Sequence, residues 1–199
     1  MAKIYTRTGD GGDTSLIGGS RTRKSDARVD LYGEVDELGC ALGLAVAFLT
    51  SVDDVQPERA ARATMLGDEL RVLQSALFAL GAVLADPDRC ERMVRESGEE
   101  PALDTVWLEQ GIDRMEEDLA PLTAFILPGG CPAGAALHGA RAVSRRLERR
   151  AVGVSTEIAV PESILGWLNR LSDWLFMAAR WANAAAGVPD TPRQLPSVD

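Results

Sequence analysis

The chain has 199 residues, 46% of them hydrophobic, with 21 Lys and Arg against 30 Asp and Glu, a formal charge of −9. A chain of this length buries about 70% of its unfolded surface, so one domain can hold together without metal or disulfide, and disordered and fibrous classes are excluded. The acid excess repels phosphate backbones and anionic lipid, which excludes general nucleic-acid and membrane binding; any anion must be held by local groups.

Residues 1–24 are rich in Gly, Thr and Asp without helical periodicity and are predicted as a loop. Asp26 then opens a helix in which Val29, Val35, Leu38, Leu42 and Val46 recur at helical spacing. Pro57, at a first turn, precedes Met65, Leu66, Leu70, Leu73, Leu77, Leu80 and Leu84, a second long helix. Residues 85–101 are charged and broken by prolines, and are predicted as an exposed connection with room for one helical turn. A shorter helix covers about 104–119, and the Pro and Gly of FILPGGCP make 121–132 a shaped turn. The fourth helix spans about 133–152, and the fifth runs from Pro161 to about 187 with Leu165, Leu168, Leu171, Leu175 and Ala182 on one side. The tail, 188–199, holds three prolines and is predicted to be loose. The expected fold is therefore all-α: a five-helix bundle over 25–187, preceded by the loop 1–24, in a single domain.

Cys40, Cys90 and Cys131 are far apart, with no CxxC and only His138 to join them, so no structural zinc site is expected. The odd cysteine count and the polar start without a signal-like segment point to the cytoplasm. The longest apolar run, 41–49, is too short to span a bilayer.

Four stretches carry candidate chemistry. Residues 6–19 hold five glycines and four hydroxyl residues, Thr6, Thr8, Thr14 and Ser15, with Arg7, Arg21 and Lys24 as nearby charges. Such a loop can point successive N–H groups at an anion, although no GK[ST] follows and the acidic spacing of a calcium loop is missing. A flexible polar terminus has the same composition, and the residues alone leave both readings open. In LHGARAVSRRLERR, Arg141, Arg145, Glu148 and Arg149 fall on one helical side with His138, opposite Ala136, Ala140, Val143, Leu147 and Ala151. That side is either a forked anion receptor or a solvated face laced by ion pairs, the latter being the reading for Arg146 and Arg150. Asn169, Asp173 and Arg180 line up beside Phe176, while Trp167, Trp174 and Trp181 recur every seven residues as a packing seam, within the chain or between subunits. Gly33, Asp36, Cys40 and Gly43 share a face that permits close helix approach and leaves one carboxylate in need of a cation. Phe125, on the Pro-Gly turn, reads as a core plug unless the turn borders an open pocket.

In order and spacing, KIYTRTGDGGDTSLIGG, RVDLYGEVDELG, FILPGG, HGARAVSRRLERR and LNRLSDWLF resemble the trimeric PduO-type cobalamin adenosyltransferases from Lys3 to Asn183. The resemblance implies a homotrimer of helical bundles that moves the 5′-deoxyadenosyl group of ATP onto cob(I)alamin and releases triphosphate, at sites between subunits. It further implies that the phosphates lie on Thr6, Arg7, Thr8, Gly9, Asp10, Gly12, Thr14 and Ser15, with Lys24, Arg28, Arg145, Glu148, Arg149 and Asn169 about the nucleotide. Asp36 and Arg141 would form an intersubunit ion pair at the corrinoid site, and Phe125 would displace the lower cobalt ligand; Mg²⁺ would ride on the phosphates, with its ligands unassigned. A flavin-type reductase and a B12-dependent enzyme are the implied partners, with neither nucleic acid nor membrane. Two positions depart from the family pattern: Gly39, where it reads Asn, and Trp167, where Tyr is common. A binding-only sensor, a phosphotransferase and a purely structural bundle are the rival readings.

Overall fold

The computed structural model describes Tyr5, residues 7–49 and residues 56–193. Among them, two short strands precede six helices: β1 (Asp13–Ser15), β2 (Arg21–Arg23), α1 (Ala27–Leu49), α2 (Pro57–Leu84), α3 (Pro87–Glu96), α4 (Thr105–Glu117), α5 (Pro132–Val154) and α6 (Glu162–Ala185). The chain is mostly helical, as expected, but the described residues hold six helices rather than five.

The sixth is α3, where the sequence suggested an exposed connection. Its charges masked a complete set of helix signals: Asp86 accepts from the Arg89 N–H as N-cap, Pro87 fills the first turn, and Ser97 closes the end in the left-handed region at φ 50. Cys90 and Met93 anchor it to the core, and it leaves α2 at 96°. Burial pushes the Cys90 thiol up, opposed by the nearby Arg28 guanidinium.

The leucine periodicity is satisfied by burial. Leu31, Val35, Leu38 and Leu42 of α1 face Leu66, Leu70, Leu73, Leu77 and Leu80 of α2 in one continuous core. α1 packs on both α2 and α5, and α6 packs on α5, α4 and α2, so α1, α2, α5 and α6 form the bundle and α4 lies outside α6. α6 is the most deeply buried helix, with Trp167, Trp174 and Trp181 all inside the chain. The tryptophan seam is thus internal, not between subunits; Trp174 also stacks on Trp107 of α4 at 6.0 Å. Each fully buried large side chain contributes about 1.5–3 kcal/mol, against about 0–1 for an exposed ion pair, so this core holds the fold.

Among the described residues, no single helix is long and apolar enough to cross a membrane. The tail expected to be loose from Val188 is tied down as far as Arg193: Leu127 N–H donates to Thr191 O at 2.8 Å, and Arg193 N–H to Phe125 O at 2.7 Å.

Candidate active site

The glycine-rich start is a hairpin, not an irregular loop. β1 and β2 pair antiparallel with Asp13 opposite Arg23, Thr14 opposite Thr22 and Ser15 opposite Arg21. The connection turns on Gly18 and Gly19, both at positive φ, which a side chain rarely adopts. The segment before β1 folds back on it through Gly12 N–H to Gly9 O at 3.1 Å and Lys24 N–H to Gly12 O at 2.9 Å. Arg21 donates to Thr8 O at 2.9 Å and to Ser15 Oγ at 3.4 Å, and Lys24 Nζ lies 3.4 Å from where a Cβ on Gly9 would stand. Thr8, Gly9, Asp10, Gly12, Thr14, Ser15 and Lys24 therefore belong to one small basic unit, next to the exposed Arg7 at φ 61. Thr6 lies outside the described residues. Arg23, not singled out from sequence, pairs with Asp13 at 3.1 Å.

Asp26 fastens this unit to α1. Its carboxylate accepts from Thr22 Oγ1 at 2.7 Å and caps the helix by accepting from Arg28 N–H at 2.9 Å, and these two hydrogen bonds hold it below the usual carboxylate range. The hairpin tip is tied to α2 by Ile17 N–H donating to Ala85 O at 3.0 Å. Arg28, expected about the nucleotide, lies beneath the hairpin. Its side chain is buried and donates to Leu84 O at 2.8 Å and Cys90 Sγ at 3.5 Å, so it caps the end of α2 and is turned away from solvent. The four unpaired carbonyls at a helix C-terminus explain why a cation is drawn there.

The arginine stripe lies on α5. Arg145 and Arg149 are exposed, and among the described residues neither guanidinium has an acidic partner; Arg149 donates only to Arg145 O at 3.0 Å. Glu148 accepts from Asn169 Nδ2 at 2.8 Å, which joins α5 to α6 and brings two expected site residues together. Arg146 and Arg150 reach the other way, to Glu37 and Glu34 and to Asp30, so the remaining arginines clamp α5 on α1 rather than making pairs along one helix. His138 departs from the helical wheel, which put it outside with the arginines: it is 4% exposed, its ring 6.0 Å from Phe176. α5 is flanked by both α6 and α1, so its buried face is wider than one stripe, and burial, with Arg141 beside it, holds the imidazole neutral. Arg141 is half-buried, its guanidinium 5.9 Å over the Phe176 ring.

Asp36 and Arg141 make no bond to each other within the chain. Asp36 is exposed on α1 at the edge of a cavity of about 440 Å³ shared with α2 and lined by Tyr32, Val35, Leu77 and the 80% exposed Phe78. On the small face around it, a Cβ on Gly43 would lie 3.2 Å from Gln74 Nε2, while one on Gly33 or Gly39 would meet nothing within 4 Å, and the Gly39 carbonyl accepts from Gln74 Nε2. The polar stripe of α6 also divides: Asp173 pairs with Arg170, and Arg180 turns inward to Asp190.

Phe125 is no core plug. It is 83% exposed on a loop that borders a cavity of about 500 Å³ walled by 118–126 and 184–192. The turn that follows is fixed by Asn183, a buried residue not singled out from sequence: its Oδ1 accepts from Cys131 N–H at 3.0 Å and its Nδ2 donates to Gly129 O at 3.1 Å. The signal was a lone amide in the apolar end of α6. Gly134 must lack a side chain here, because a Cβ would lie 2.0 Å from Asn183 Oδ1 and 3.1 Å from Ala179 O. Gly134→Ala is expected to destabilise by about 1–3 kcal/mol. Thermal unfolding should then show Tm lower by about 2–4 °C per kcal/mol, and an unchanged Tm would mean that Asn183 moves aside freely.

Along α5 the candidate groups are ordered by helix rise. The Phe125 loop feeds its start, Arg141 stands about 13 Å along it and Arg145 about 20 Å. Among the described residues, no hydrogen bond or ion pair joins the hairpin to Arg141, Arg145, Glu148, Arg149 or Asn169.

The family model for cobalamin adenosyltransferase matches residues 4–182. A corrinoid adenosyltransferase of Citrobacter freundii is 42% identical over 181 residues, 90% of this chain and 94% of its own length, and one of Bacillus subtilis is 40% identical over 188 residues, 94% and 90%. Among solved structures, a variant PduO-type ATP:corrinoid adenosyltransferase from Lactobacillus reuteri complexed with cobalamin and ATP superposes with a TM-score of 0.82 at 37% identity, covering 97% of this chain and 100% of that one. Matched over nearly its whole length in both sequence and fold, the chain belongs to the cobalamin adenosyltransferase family.

Proposed function

We propose that the protein transfers the 5′-deoxyadenosyl group of ATP to cob(I)alamin, giving adenosylcobalamin and triphosphate, at sites shared between subunits of a homotrimer. Cobalt(I) supplies the electron pair for the new bond to C5′, and the broken C5′–O bond leaves its pair on the triphosphate. The protein therefore needs no nucleophile of its own. Its tasks are to align C5′ with cobalt, to enclose the corrinoid and to offset the charge on the leaving triphosphate.

The observation that carries this reading is the layout of α5, which offers Arg145 and Arg149 without acidic partners and begins at the exposed Phe125 loop. In a chain of net charge −9, guanidiniums left unpaired form a local anion site. In the proposed site Thr6, Arg7, Thr8, Gly9, Asp10, Gly12, Thr14, Ser15 and Lys24 receive the triphosphate, and Arg145 and Arg149 meet it from a second copy. Glu148 and Asn169 hold each other and the nucleotide end of α5 in register. Arg28 serves from beneath, fixing the corner on which the hairpin rests. Asp36 takes Arg141 of a neighbouring subunit as its cation.

Two facts support the shared site. Among the described residues no hydrogen bond or ion pair joins hairpin and arginine stripe in one chain, and Asp36 borders an apolar cavity beside the exposed Phe78, a surface of the kind that partners cover. Mg²⁺ is expected as the counter-ion of ATP: no three carboxylate, thiol or imidazole groups gather to hold a metal among the described residues. The charges assigned to the phosphates are thus Arg7, Lys24, Arg145 and Arg149. The odd cysteine count fits a reducing cytoplasm, where a flavin-type reductase supplies Co(I) and a B12-dependent enzyme takes the product.

Purified protein with ATP, Mg²⁺ and chemically reduced cob(I)alamin should give light-sensitive adenosylcobalamin and one inorganic triphosphate per product. Release of ADP would make it a phosphotransferase instead, and ATP binding without conversion would make it a sensor.

A further inference from the structure

We propose that Arg180 is a positioning residue for Phe125, acting through a two-stranded flap that it clamps at the root. The proposal rests on the role given above to Phe125 in handling the corrinoid.

Arg180 is 5% exposed, in the most buried helix of the chain. Its guanidinium is bonded within the chain, at the wall of the cavity beside the Phe125 loop. Nη2 donates to Ala120 O at 2.7 Å, Nε donates to Asp190 Oδ2 at 2.7 Å, and Nη1 approaches Met177 Sδ at 3.9 Å. Ala120 and Asp190 belong to two segments remote in sequence, one leaving α4 and one leaving α6. Those same segments pair a few residues further on, with Ile126 bridged to Pro192 and hydrogen bonds from Leu127 to Thr191 and from Arg193 to Phe125. One planar fork thus holds both strands of the flap where they emerge, and Phe125 sits near its tip.

The Phe125 ring, 83% exposed, has little packing of its own in the chain, so its position follows from its backbone. That backbone is held by Arg193 N–H, and the segment carrying Arg193 is held by Asp190 on Arg180. A guanidinium can serve a carbonyl and a carboxylate in divergent directions at once, whereas an ammonium is a single point charge on a flexible stem. Lysine therefore keeps the charge at this position and loses the clamp. The second Asp190 oxygen is buried without a partner, so Asp190 depends on Arg180 for its compensation.

The test uses the full-length protein and two variants, R180K at the root and R193P at the tip, where proline removes the N–H that Phe125 accepts. Hydrogen exchange reads the clamp directly: in R180K the Leu127 and Arg193 amides should lose protection, and unchanged protection would overturn the clamp. Turnover from enzyme-bound cob(II)alamin with a reductant should fall about tenfold or more in each variant, with KM for ATP within about twofold of wild type. Each variant is then combined with F125A. If Arg180 acts through Phe125, R180K and R193P add less than about twofold in that background; full additive losses, or a raised KM for ATP, would overturn the proposal. Arg193 is itself exposed, so R193P decides the question even if R180K fails to fold. Exchange increased in R180K while F125A alone turns over like wild type would leave the clamp standing and refute the role of Phe125.

Discussion

Replacing Arg145 by alanine is expected to lower the rate of adenosyl transfer by about 10²–10³-fold, the usual cost of removing one preorganised group that faces charge developing in a transition state. The fold should not suffer. Arg145 is exposed, and among the described residues its guanidinium bonds to nothing, so the change resembles other surface substitutions worth about ±0.5 kcal/mol. Steady-state kinetics with pre-reduced cob(I)alamin, beside a thermal melt, separates the two effects; wild-type turnover in Arg145→Ala would remove this residue from the site. A mixed oligomer extends the test to the interface. Among the described residues no hydrogen bond or ion pair joins the units that carry Lys24 and Arg145 within one chain, so in the proposed shared site co-expressed Lys24→Ala and Arg145→Ala subunits should recover part of the lost activity. If the mixture is as inactive as its parents, the site is not shared between copies.

Phe125→Ala is expected to lower turnover from cob(II)alamin by about 10- to 100-fold, while turnover from pre-reduced cob(I)alamin and the affinity for ATP change much less. The magnitude follows from area: covering a phenyl ring fully contributes about 1.5–3 kcal/mol, and each 1.4 kcal/mol is a factor of ten. Because the ring is 83% exposed in the free chain, that contribution is available only against a ligand. The proposed task is to exclude water and the lower ligand from cobalt, which leaves four-coordinate Co(II) and eases its reduction. The visible and magnetic-resonance spectra of bound cob(II)alamin report that coordination. Equal losses from both cobalt oxidation states would point to simple corrinoid binding, and no loss in either would refute the assignment.

Much of the architecture was legible because it rests on periodicity. Val35, Leu38 and Leu42 and Leu66 to Leu84 recur at three and four, and burial followed that spacing, with Val29 and Val46 half-buried and Met65 exposed at the margins. The miss at α3 had the opposite cause. Charge was read as exposure, although Asp86 and Pro87 spell a helix start that depends only on local hydrogen bonding. The hairpin was missed because its strands have three residues each, too few for alternation to show, and because its pairing is fixed by Gly18 and Gly19 and by contacts to α1 and α2.

The site divided in the same way. The resemblance picked out Gly9, Gly12, Thr14, Lys24, Arg145, Arg149 and Phe125, whereas the residues alone left the start open between an anion loop and a flexible terminus, the arginine side open between a receptor and a solvated face, and Phe125 as a core plug. Where a side chain goes once several helices compete for it could not be chosen that way. Arg28 and Arg180 are drawn to the carbonyls of Leu84 and Ala120, since buried carbonyls without donors attract the nearest fork. His138 shares a helical wheel with Arg145 and is nonetheless buried, because α1 and α6 cover α5 from two sides. By itself the sequence determined that the chain is mostly helical and where the core stripes of its long helices run, both set by interactions within a few turns. Only the tertiary structure decided which arginines remain free and how Phe125 is held, because both depend on hydrogen bonds between segments as much as 109 residues apart.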